Sequence, residues 1–461
     1  MSKHPARGMD QTPGVFTTFP LDNILREVHR LLGPTWQLPP YSLPPYLSPP
    51  SPHLQEDDLD FLLRRGGLDT VEPELAQEIF KAYICHIHPF IPFLDLELFS
   101  DSIFGATSHH EGGGPENSRK ISLLLFHAVM FAGAMFVDLK YLYAAGYVSR
   151  SSAVDVLFQR ARVLYELNGE EDPFSVIQSL LLMTYRCENP EQHKDAQHWI
   201  SVCVSLACKA GLQLDDRQDS NNIWKVDRIL WWCIFTRDRL IALGLQRPPF
   251  IKDEMHISVP VLQCHDFQIL KPGPTTSYAV SCYGNHKTSL ERMFIEKTKL
   301  CRCIKDGAFS WPNYQAHIVA STAVQPRQVA LFLSELELSH WLHDLPESIA
   351  FSQKPFLPTT DADLILYFHT AWLRLIYLKI FSTLNQQLLS LDTQECPVLS
   401  SATEAASILN GIYQKNSAFH FSTVKEGQLP LWLSAWMVPW PCRNCQMGQQ
   451  LEFSNPSAGL A

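Results

Sequence analysis

The stretch from Trp224 to Leu262 reads WKVDRILWWCIFTRDRLIALGLQRPPFIKDEMHISVPVL. Its first half predicts an amphipathic helix, because large apolar side chains recur in steps of three, four and seven and form one stripe at Ile223, Val226, Leu230, Ile234 and Ile241. We expect Gly244 to end this helix, since glycine readily adopts the left-handed backbone that follows many helices. Arg247-Pro248-Pro249 then predicts an extended exit.

Charged residues interrupt the apolar stretch of this helix at Arg237, Asp238 and Arg239. Burying such charges is costly unless they are paired. We interpret Arg228, Asp238 and Arg239 as one buried polar network that fixes the helix register, because the flanking Trp and Leu side chains leave little access for water. The alternative is a partly exposed ion pair, which contributes little to stability.

The same stretch resembles the middle homology region of fungal transcription factors of the binuclear zinc cluster type. The family signature is a basic residue, a Trp-Trp pair, an Asp-Arg pair, a Gly-x-x-Arg-Pro-Pro turn and a Val-Pro. The matching residues here are Arg228, Trp231, Trp232, Asp238, Arg239, Gly244, Arg247, Pro248, Pro249, Val259 and Pro260. These residues form the candidate site, and their role is interpreted as structural, so no catalytic, cofactor-binding or metal-binding residue is predicted.

Further segments resemble the same family over roughly residues 56–415. They are the helix end and His-Pro run from Tyr83 to Phe99, the Gln-x-Leu-Leu-Leu run at 178–182, Trp199 with the run 207–212, and the Trp341 helix that precedes Leu345-Pro346. The resemblance is closest to two types of activator. One is the cutinase and fatty-acid-responsive type, and the other is the xylanolytic type. It implies an all-α, multi-helix, bundle-like regulatory domain.

The order of segments predicts three parts. Residues 1–55 are expected to be a flexible, disordered, Pro-rich arm, because three Pro-Pro pairs fall between residues 39 and 50. Residues 56–415 are expected to form the helical regulatory domain, and residues 416–461 an irregular tail. Within the domain, Asp172 before Pro173 and Asp195 before the Trp199 helix predict helix starts, and Gly211 predicts a helix end.

Composition and charge bear on DNA binding. The chain has 46% hydrophobic and 18% charged residues and a net charge of −10, and it has no run of basic residues longer than Arg64-Arg65. DNA-binding domains usually carry a basic patch, so we expect poor unaided DNA binding. The family's zinc cluster, with its C-x2-C-x6-C spacing, has no match here, since the first cysteine is Cys85. Zinc is therefore expected only with an N-terminal cluster missing from this chain.

Parts of the sequence also fit two other classes of protein. Asp215, Asp216 and Asp219 form a D-D-x-x-D run that could bind magnesium and a diphosphate in an all-α terpene synthase-like enzyme. The run lies in a loop-like context and its usual second magnesium motif was not found, so we predict that the chain is not an enzyme. The apolar segment 121–137 could span a membrane, but a buried core helix is favoured and no membrane partner is expected.

Isolated pairs of metal-binding residue types are interpreted as chance spacing or as local structure. They are His86 with His88, Cys301 with Cys303, and Cys442 with Cys445. A structural zinc site needs four ligands, and a lone pair supplies only two.

The resemblance implies control of RNA polymerase II target genes in a fungal nucleus, with a metabolic gene cluster as a candidate target. DNA would be reached through a missing zinc-cluster module or through a partner. Co-regulator proteins, a homo- or heterodimer partner and a small apolar effector are the other expected partners. The core of such a helical domain could bind a small effector or a helix of a partner. That binding would change the activity of an attached DNA-binding module or co-regulator.

Overall fold

The computed structural model describes residues 43–105, 119–186, 195–214, 223–256, 259–270, 282–305, 324–352, 359–388 and 397–418. The chain divides into two units between residues 42 and 43, and every described residue lies in the second unit. Thirteen α-helices occur in these residues, which confirms the predicted all-α class. They are α1 Glu56–Arg64, α2 Pro73–His86, α3 Leu96–Gly105, α4 Leu123–Ala134, α5 Leu139–Ala144, α6 Arg150–Glu166, α7 Pro173–Met183, α8 Ala196–Lys209, α9 Ile223–Leu245, α10 Lys287–Arg302, α11 Val324–Asp344, α12 Asp361–Leu388 and α13 Pro397–Ala418.

The centre of the first half is α4, in which every residue is buried. A helix that is apolar on all sides must be covered on all sides, and α4 packs against α2, α6 and α7. At Gly133 a Cβ atom would lie 2.3 Å from the carbonyl oxygen of Ile79, so this glycine allows α2 and α4 to approach closely. The apolar segment 121–137 therefore contains a twelve-residue core helix, as favoured over a membrane span.

A two-residue parallel strand pair joins the start of the described chain to α4. Strand β1, Leu47–Ser48, pairs with β2, Ile121–Ser122, and the Ile121 N–H donates to the Tyr46 carbonyl at 2.8 Å. Leu47 is 2% exposed, so residues 43–55 lie against the helical body although they belong to the predicted arm. The rest of the arm, residues 1–42, and the tail from residue 419 lie outside the described residues.

Three predicted helix boundaries are confirmed. The Asp172 carboxylate accepts hydrogen bonds from the backbone N–H groups of Phe174 and Ser175, with Pro173 in the first turn of α7. Asp195 caps α8 by accepting from the His198 N–H at 2.9 Å. Gly211 follows α8 with φ +75°, the left-handed conformation that glycine tolerates best.

The second half is built around α10 and α12. Helix α12 packs against α10, α11 and α13, while α9 packs against both α8 and α10 and so joins the two halves. Within the described residues, one helix is long and apolar enough to cross a membrane, Asp361–Asn385 in α12, and 72% of its most apolar window is buried inside the protein. Its packing against three neighbouring helices accounts for this composition.

Candidate functional site

The Trp-Trp pair of the motif lies on the buried side of α9. Trp231 and Trp232 are both 0% exposed. The Trp232 Nε1–H donates to the Pro260 carbonyl oxygen at 2.9 Å, so the aromatic pair holds the Val259-Pro260 segment against the helix. Two parts of the motif that lie 28 residues apart are therefore in direct contact.

Arg228 forms an ion pair with Asp266. Both side chains are withdrawn from water, with 12% and 1% of their surfaces exposed, and Asp266 also accepts from the Gln263 N–H at 2.8 Å. Asp266 lies in the first turn of a short 3-10 segment, residues 264–270, that packs on α9 and α10. The sequence did not indicate this charge partner of Arg228, which lies beyond the motif.

Asp238 binds backbone rather than serving only as a counter-charge. Its Oδ1 accepts from the Phe250 N–H at 3.1 Å and its Oδ2 from the Ile251 N–H at 2.9 Å. The side chain is 1% exposed, so these two donors compensate for the loss of water around the carboxylate. Asp238 therefore ties the middle of α9 to the segment that follows Pro248-Pro249.

Arg239 is fully buried and joins three parts of the chain. Its guanidinium donates to the carbonyl oxygens of Ile304 and Ile251, each at 2.9 Å, and to Asp253 Oδ1 at 2.8 Å. The predicted buried network exists, but Asp253 supplies a carboxylate for Arg239 that the sequence did not indicate. Asp238 and Arg239 meet at Ile251, where one accepts from the N–H and the other donates to the carbonyl.

The end of α9 differs from the prediction. Gly244 lies in the last turn, the helix continues to Leu245, and Gln246 takes the left-handed conformation with φ +54°. The Arg247 N–H donates to the Ala242 carbonyl at 3.0 Å, which is the backbone pattern of a common C-terminal helix cap. The helix thus ends one residue later than predicted, at Leu245, and the left-handed residue is Gln246 rather than Gly244.

Arg247 and Pro248 direct the chain away from α9. The Arg247 guanidinium, half exposed, contacts Asp195 at 3.1 Å and also Gln197, so it binds the N-terminus of α8. Pro248 follows outside the helix, where a proline ring disfavours a helical conformation for the preceding residue. The contacts of the motif residues thus connect α8, α9, α10 and the segment 250–266, and we call this set of contacts the joint.

Arg237 completes this joint on the side of α7. It donates to the hydroxyl and to the carbonyl oxygen of Thr184, at 2.8 and 2.9 Å, and its guanidinium lies 4.0 Å from the centroid of the Tyr185 ring. Thr184 and Tyr185 directly follow α7. The sequence indicated that Arg237 needed a partner, but it did not indicate this one.

A large cleft lies beside the motif. Its volume is about 710 Å³, within the range of sites for small organic ligands. The lining is mainly apolar, and its partly buried side chains include Leu96, Leu98, Phe174 and Val226. Two ion pairs lie at its sides, Arg119 with Asp95 at 3.2 Å and Lys287 with Glu291 at 3.9 Å. Burial raises the pKa of Glu291, since its carboxyl faces an environment poor in water.

The described residues contain no group of three or more potential metal ligands. His86 stacks on Phe136 with ring centroids 4.8 Å apart, and the His88 Nδ1 lies 3.1 Å from the Tyr283 hydroxyl. Burial lowers the pKa of both histidines to about 3 and raises the pKa of Cys301 and Cys303 to about 12. The Cys442–Cys445 pair and the 215–219 acidic run lie outside the described residues.

Comparison with known proteins places this site in context. A family model for the fungal specific transcription factor domain matches residues 80–392. No solved structure gives a significant match.

Several curated proteins are similar to the chain. Cutinase transcription factor 1 beta of Fusarium vanettenii is 37% identical over 258 residues, which cover 54% of this chain and 28% of that protein. Transcription factor cpaR of Aspergillus oryzae is 32% identical over 351 residues, 72% of this chain and 56% of that protein. The fusaric acid cluster transcription factor FUB12 of Gibberella moniliformis is 29% identical over 190 residues, 41% and 26% respectively. The chain thus spans between a quarter and just over half of these relatives.

These similarities also bear on the enzyme alternative. The relatives are transcription factors, which are not enzymes, so the terpene synthase-like interpretation of Asp215, Asp216 and Asp219 has no support among them.

Proposed function

This chain belongs to the fungal specific transcription factor domain family, and we propose that it is the regulatory body of a transcription regulator that acts in a fungal nucleus. The observation that carries the proposal is the family match over residues 80–392, about two thirds of the chain. The buried joint around α9 supports it, because the motif residues stabilise packing between helices. These contacts support a structural role for the motif residues.

Contact with DNA is proposed to be indirect. The net charge is −10, and the sequence has no run of basic residues longer than Arg64-Arg65 that could follow a phosphate backbone. A DNA-binding module joined to this body, or a partner protein that carries one, would supply the phosphate and base contacts. A zinc cluster of the family type is the module that the resemblance favours.

We further propose that the 710 Å³ cleft is the place where a small apolar effector binds. A mainly apolar cleft of this size lowers the free energy of a bound organic molecule by removing part of its apolar surface from water. The cleft is walled by α3, α7, α9 and α10. The motif and Arg237 hold the last three together, so a ligand there contacts helices on both sides of the joint. Occupation of the cleft would thereby favour one packing of these helices over another.

The printed names of relatives suggest classes of target. One relative is called a cutinase transcription factor and another a fusaric acid cluster transcription factor. For this chain we propose genes of a metabolic cluster or of an extracellular hydrolase as candidate targets. The chain would act on them together with co-regulator proteins or a second copy of itself.

The transcriptional role is tested by joining the full chain to an unrelated DNA-binding module in a fungal host that carries a reporter with the matching operator. We expect reporter transcript to change several-fold relative to the module alone. A reporter level equal to that of the module alone, with the fusion present in the nucleus at equal amount, would contradict the role.

The effector site is tested with the fluorescent apolar probe 1-anilinonaphthalene-8-sulfonate. Leu96→Trp places an indole ring in the cleft and narrows it, and we expect it to weaken saturable probe binding. Leu63→Trp is the matched control, since Leu63 is also half-buried but lies on α1, outside the cleft lining. Equal probe binding by both variants and the unaltered chain would show that the cleft is not the binding site.

A further inference from the structure

Two cysteines from distant parts of the sequence lie in contact. The sulfur atoms of Cys85 and Cys282 are 3.5 Å apart, although the two residues are 197 positions apart in the chain. Cys85 is the second-last residue of α2, and Cys282 lies shortly before α10. Cys85 is half-buried and Cys282 is 9% exposed, so Cys85 is the more accessible residue of the two.

Hydrogen bonds of neighbouring backbone hold the two cysteines together. The hydroxyl of Tyr283, next to Cys282 in the chain, donates to the carbonyl oxygen of Ile84, next to Cys85, at 2.7 Å. The Cys85 carbonyl oxygen in turn accepts from the Nε2 of His369 in α12 at 2.9 Å. The contact between the two sulfurs therefore depends on the folded arrangement of α2, α12 and the chain before α10.

The sulfurs are close enough for a disulfide to form by movement of side chains. A disulfide needs its two sulfurs about 2.0 Å apart, so they must approach by about 1.5 Å from the observed 3.5 Å. Rotation about the Cα–Cβ bond of either cysteine can supply a movement of this size. Cys203 and Cys303 differ from this pair, because their thiols donate to the backbone carbonyl oxygens of Ile177 and Lys299.

We propose that Cys85 and Cys282 form a reversible disulfide when the chain meets a low-molecular-weight disulfide, of which oxidised glutathione is the probe used below. The proposal rests on the contact between the two sulfurs and on the partial exposure of Cys85. It is independent of the transcriptional role and of the proposed effector site.

The bond forms in two thiol–disulfide exchanges. The Cys85 thiol loses its proton, and its sulfur attacks one sulfur of oxidised glutathione, which forms a mixed disulfide and releases one reduced glutathione. The Cys282 sulfur, after loss of its own proton, attacks the Cys85 sulfur and releases the second. The two cysteines together lose two electrons and two protons, and oxidised glutathione takes up both.

Proximity favours the disulfide at equilibrium rather than a fast reaction. Contact with Cys282 and burial raise the pKa of Cys85, so this group is a thiol at neutral pH and the first exchange is slow. The second exchange is intramolecular, because the fold holds the Cys282 sulfur against the Cys85 sulfur. It therefore competes well with attack by free glutathione on the mixed disulfide.

The disulfide would lie behind the wall of the large cleft. His88, three residues after Cys85, and Tyr283, next to Cys282, both line that cleft, and the His88 Nδ1 lies 3.1 Å from the Tyr283 hydroxyl. A covalent bond between the two cysteines would hold these parts of the wall together. An effect on a bound ligand rests on the proposed effector site, whereas formation of the bond does not.

The test equilibrates the full chain with mixtures of reduced and oxidised glutathione. Acid stops the exchange, N-ethylmaleimide blocks the remaining thiols in urea, and mass spectrometry of the peptides maps each cysteine. We expect the linked Cys85–Cys282 peptides to increase with the share of oxidised glutathione and to disappear after dithiothreitol. A chain kept unfolded in urea throughout should form about tenfold less of this link, because the sulfurs are no longer held together.

Two variants separate the steps. Cys282→Ser lacks the second thiol, so Cys85 should stop at the mixed disulfide with glutathione. Cys208→Ser is the matched control, because Cys208 is also half-buried but lies in α8, and it should leave the Cys85–Cys282 link unaltered. If Cys282→Ser does not fold, the unaltered chain decides alone, since the peptide map identifies both cysteines.

Three results would overturn the proposal. The first is that Cys85 and Cys282 both stay free at every glutathione mixture. The second is that Cys85 of the unaltered chain stays bound to glutathione or pairs with another cysteine. The third is that the chain unfolded in urea forms the link as readily as the folded chain.

Discussion

Asp238 accepts a hydrogen bond from the backbone N–H of Ile251 at 2.9 Å, and this contact links the middle of α9 to the chain that follows the Pro-Pro turn. Proline has no N–H, so the first backbone donors after Pro248-Pro249 are those of Phe250 and Ile251. Both are bound by the same carboxylate. The Asp-Arg pair and the Arg-Pro-Pro turn of the motif are thus two halves of one contact.

Replacement of Asp238 by alanine is predicted to destabilise the fold by about 3 to 5 kcal/mol, because two buried N–H groups lose their acceptor and the buried positive charge of Arg239 loses a neighbouring negative one. Urea unfolding followed by tryptophan fluorescence measures this change. The control is Asp101→Ala on the exposed face of α3, which should leave the unfolding midpoint unaltered. Equal midpoints for the two variants would mean that the contact contributes little.

The Arg228–Asp266 pair is predicted to be strongly coupled, because 12% and 1% of the two side chains are exposed. A double-mutant cycle with Arg228→Met and Asp266→Asn should give a coupling energy of about 2 to 3 kcal/mol. The same cycle on the exposed Arg64–Asp60 pair, where 61% and 40% of the side chains are exposed, should give less than about 1 kcal/mol. A buried pair no more strongly coupled than the exposed one would refute this prediction.

We predict that replacement by phenylalanine costs more stability at Trp232 than at Trp231. Trp232 donates to the Pro260 carbonyl, whereas the Trp231 Nε1 has no hydrogen-bond partner in the described part of the chain. Trp232→Phe should therefore cost about 1 kcal/mol more than Trp231→Phe, since it removes a hydrogen bond to the Pro260 carbonyl that Trp231 does not make. Chemical unfolding of both variants checks the order. A larger loss for Trp231→Phe would assign the stability to ring packing instead.

Stability is predicted to fall as the pH falls below about 6.5. Burial lowers the pKa of His86, His88 and His127 to about 3 and of His369 to about 4. In the unfolded chain these residues bind protons near pH 6.5, so at pH 5 unfolding should take up nearly four protons, and the free energy of unfolding decreases with acidification. The slope of unfolding free energy against pH measures this uptake.

A control variant separates the buried histidines from the remaining acid-sensitive groups. His127→Gln should lower the proton uptake at pH 5 by close to one, whereas replacement of the exposed His343 by glutamine should change it little. Proton uptake that is identical in His127→Gln and the unaltered chain would mean that His127 is accessible to protons in the folded state.

The sequence predicted the helices well and their polar contacts poorly. The starts of α7 and α8 follow from Asp172 and Asp195, because a helix cap is a local arrangement of neighbouring residues. The partners of Arg239 lie 12 to 65 residues away, so no local pattern indicates them. The end of α9 was misplaced because Gln246, not Gly244, takes the left-handed position.

The sequence analysis missed the burial of Lys297, which lies in α10 and is 3% exposed. Leu290, Phe294 and Cys301 lie on the same side of α10 at helical spacing, and Lys297 falls between the last two. A single lysine on an apolar stripe signals either a snorkelling side chain or a buried charge. Only the structure distinguishes these, because burial depends on the helices that cover α10.

The most direct measurement of the proposed role is chromatin immunoprecipitation of the tagged chain in the organism that encodes it, combined with RNA sequencing of a strain that lacks it. We predict that promoters bound by the chain belong to genes whose transcripts change several-fold when it is removed, and that Asp238→Ala reduces both the binding and the transcript change. Absence of promoter enrichment, together with unchanged transcripts in the strain that lacks the chain, would contradict a role in transcription.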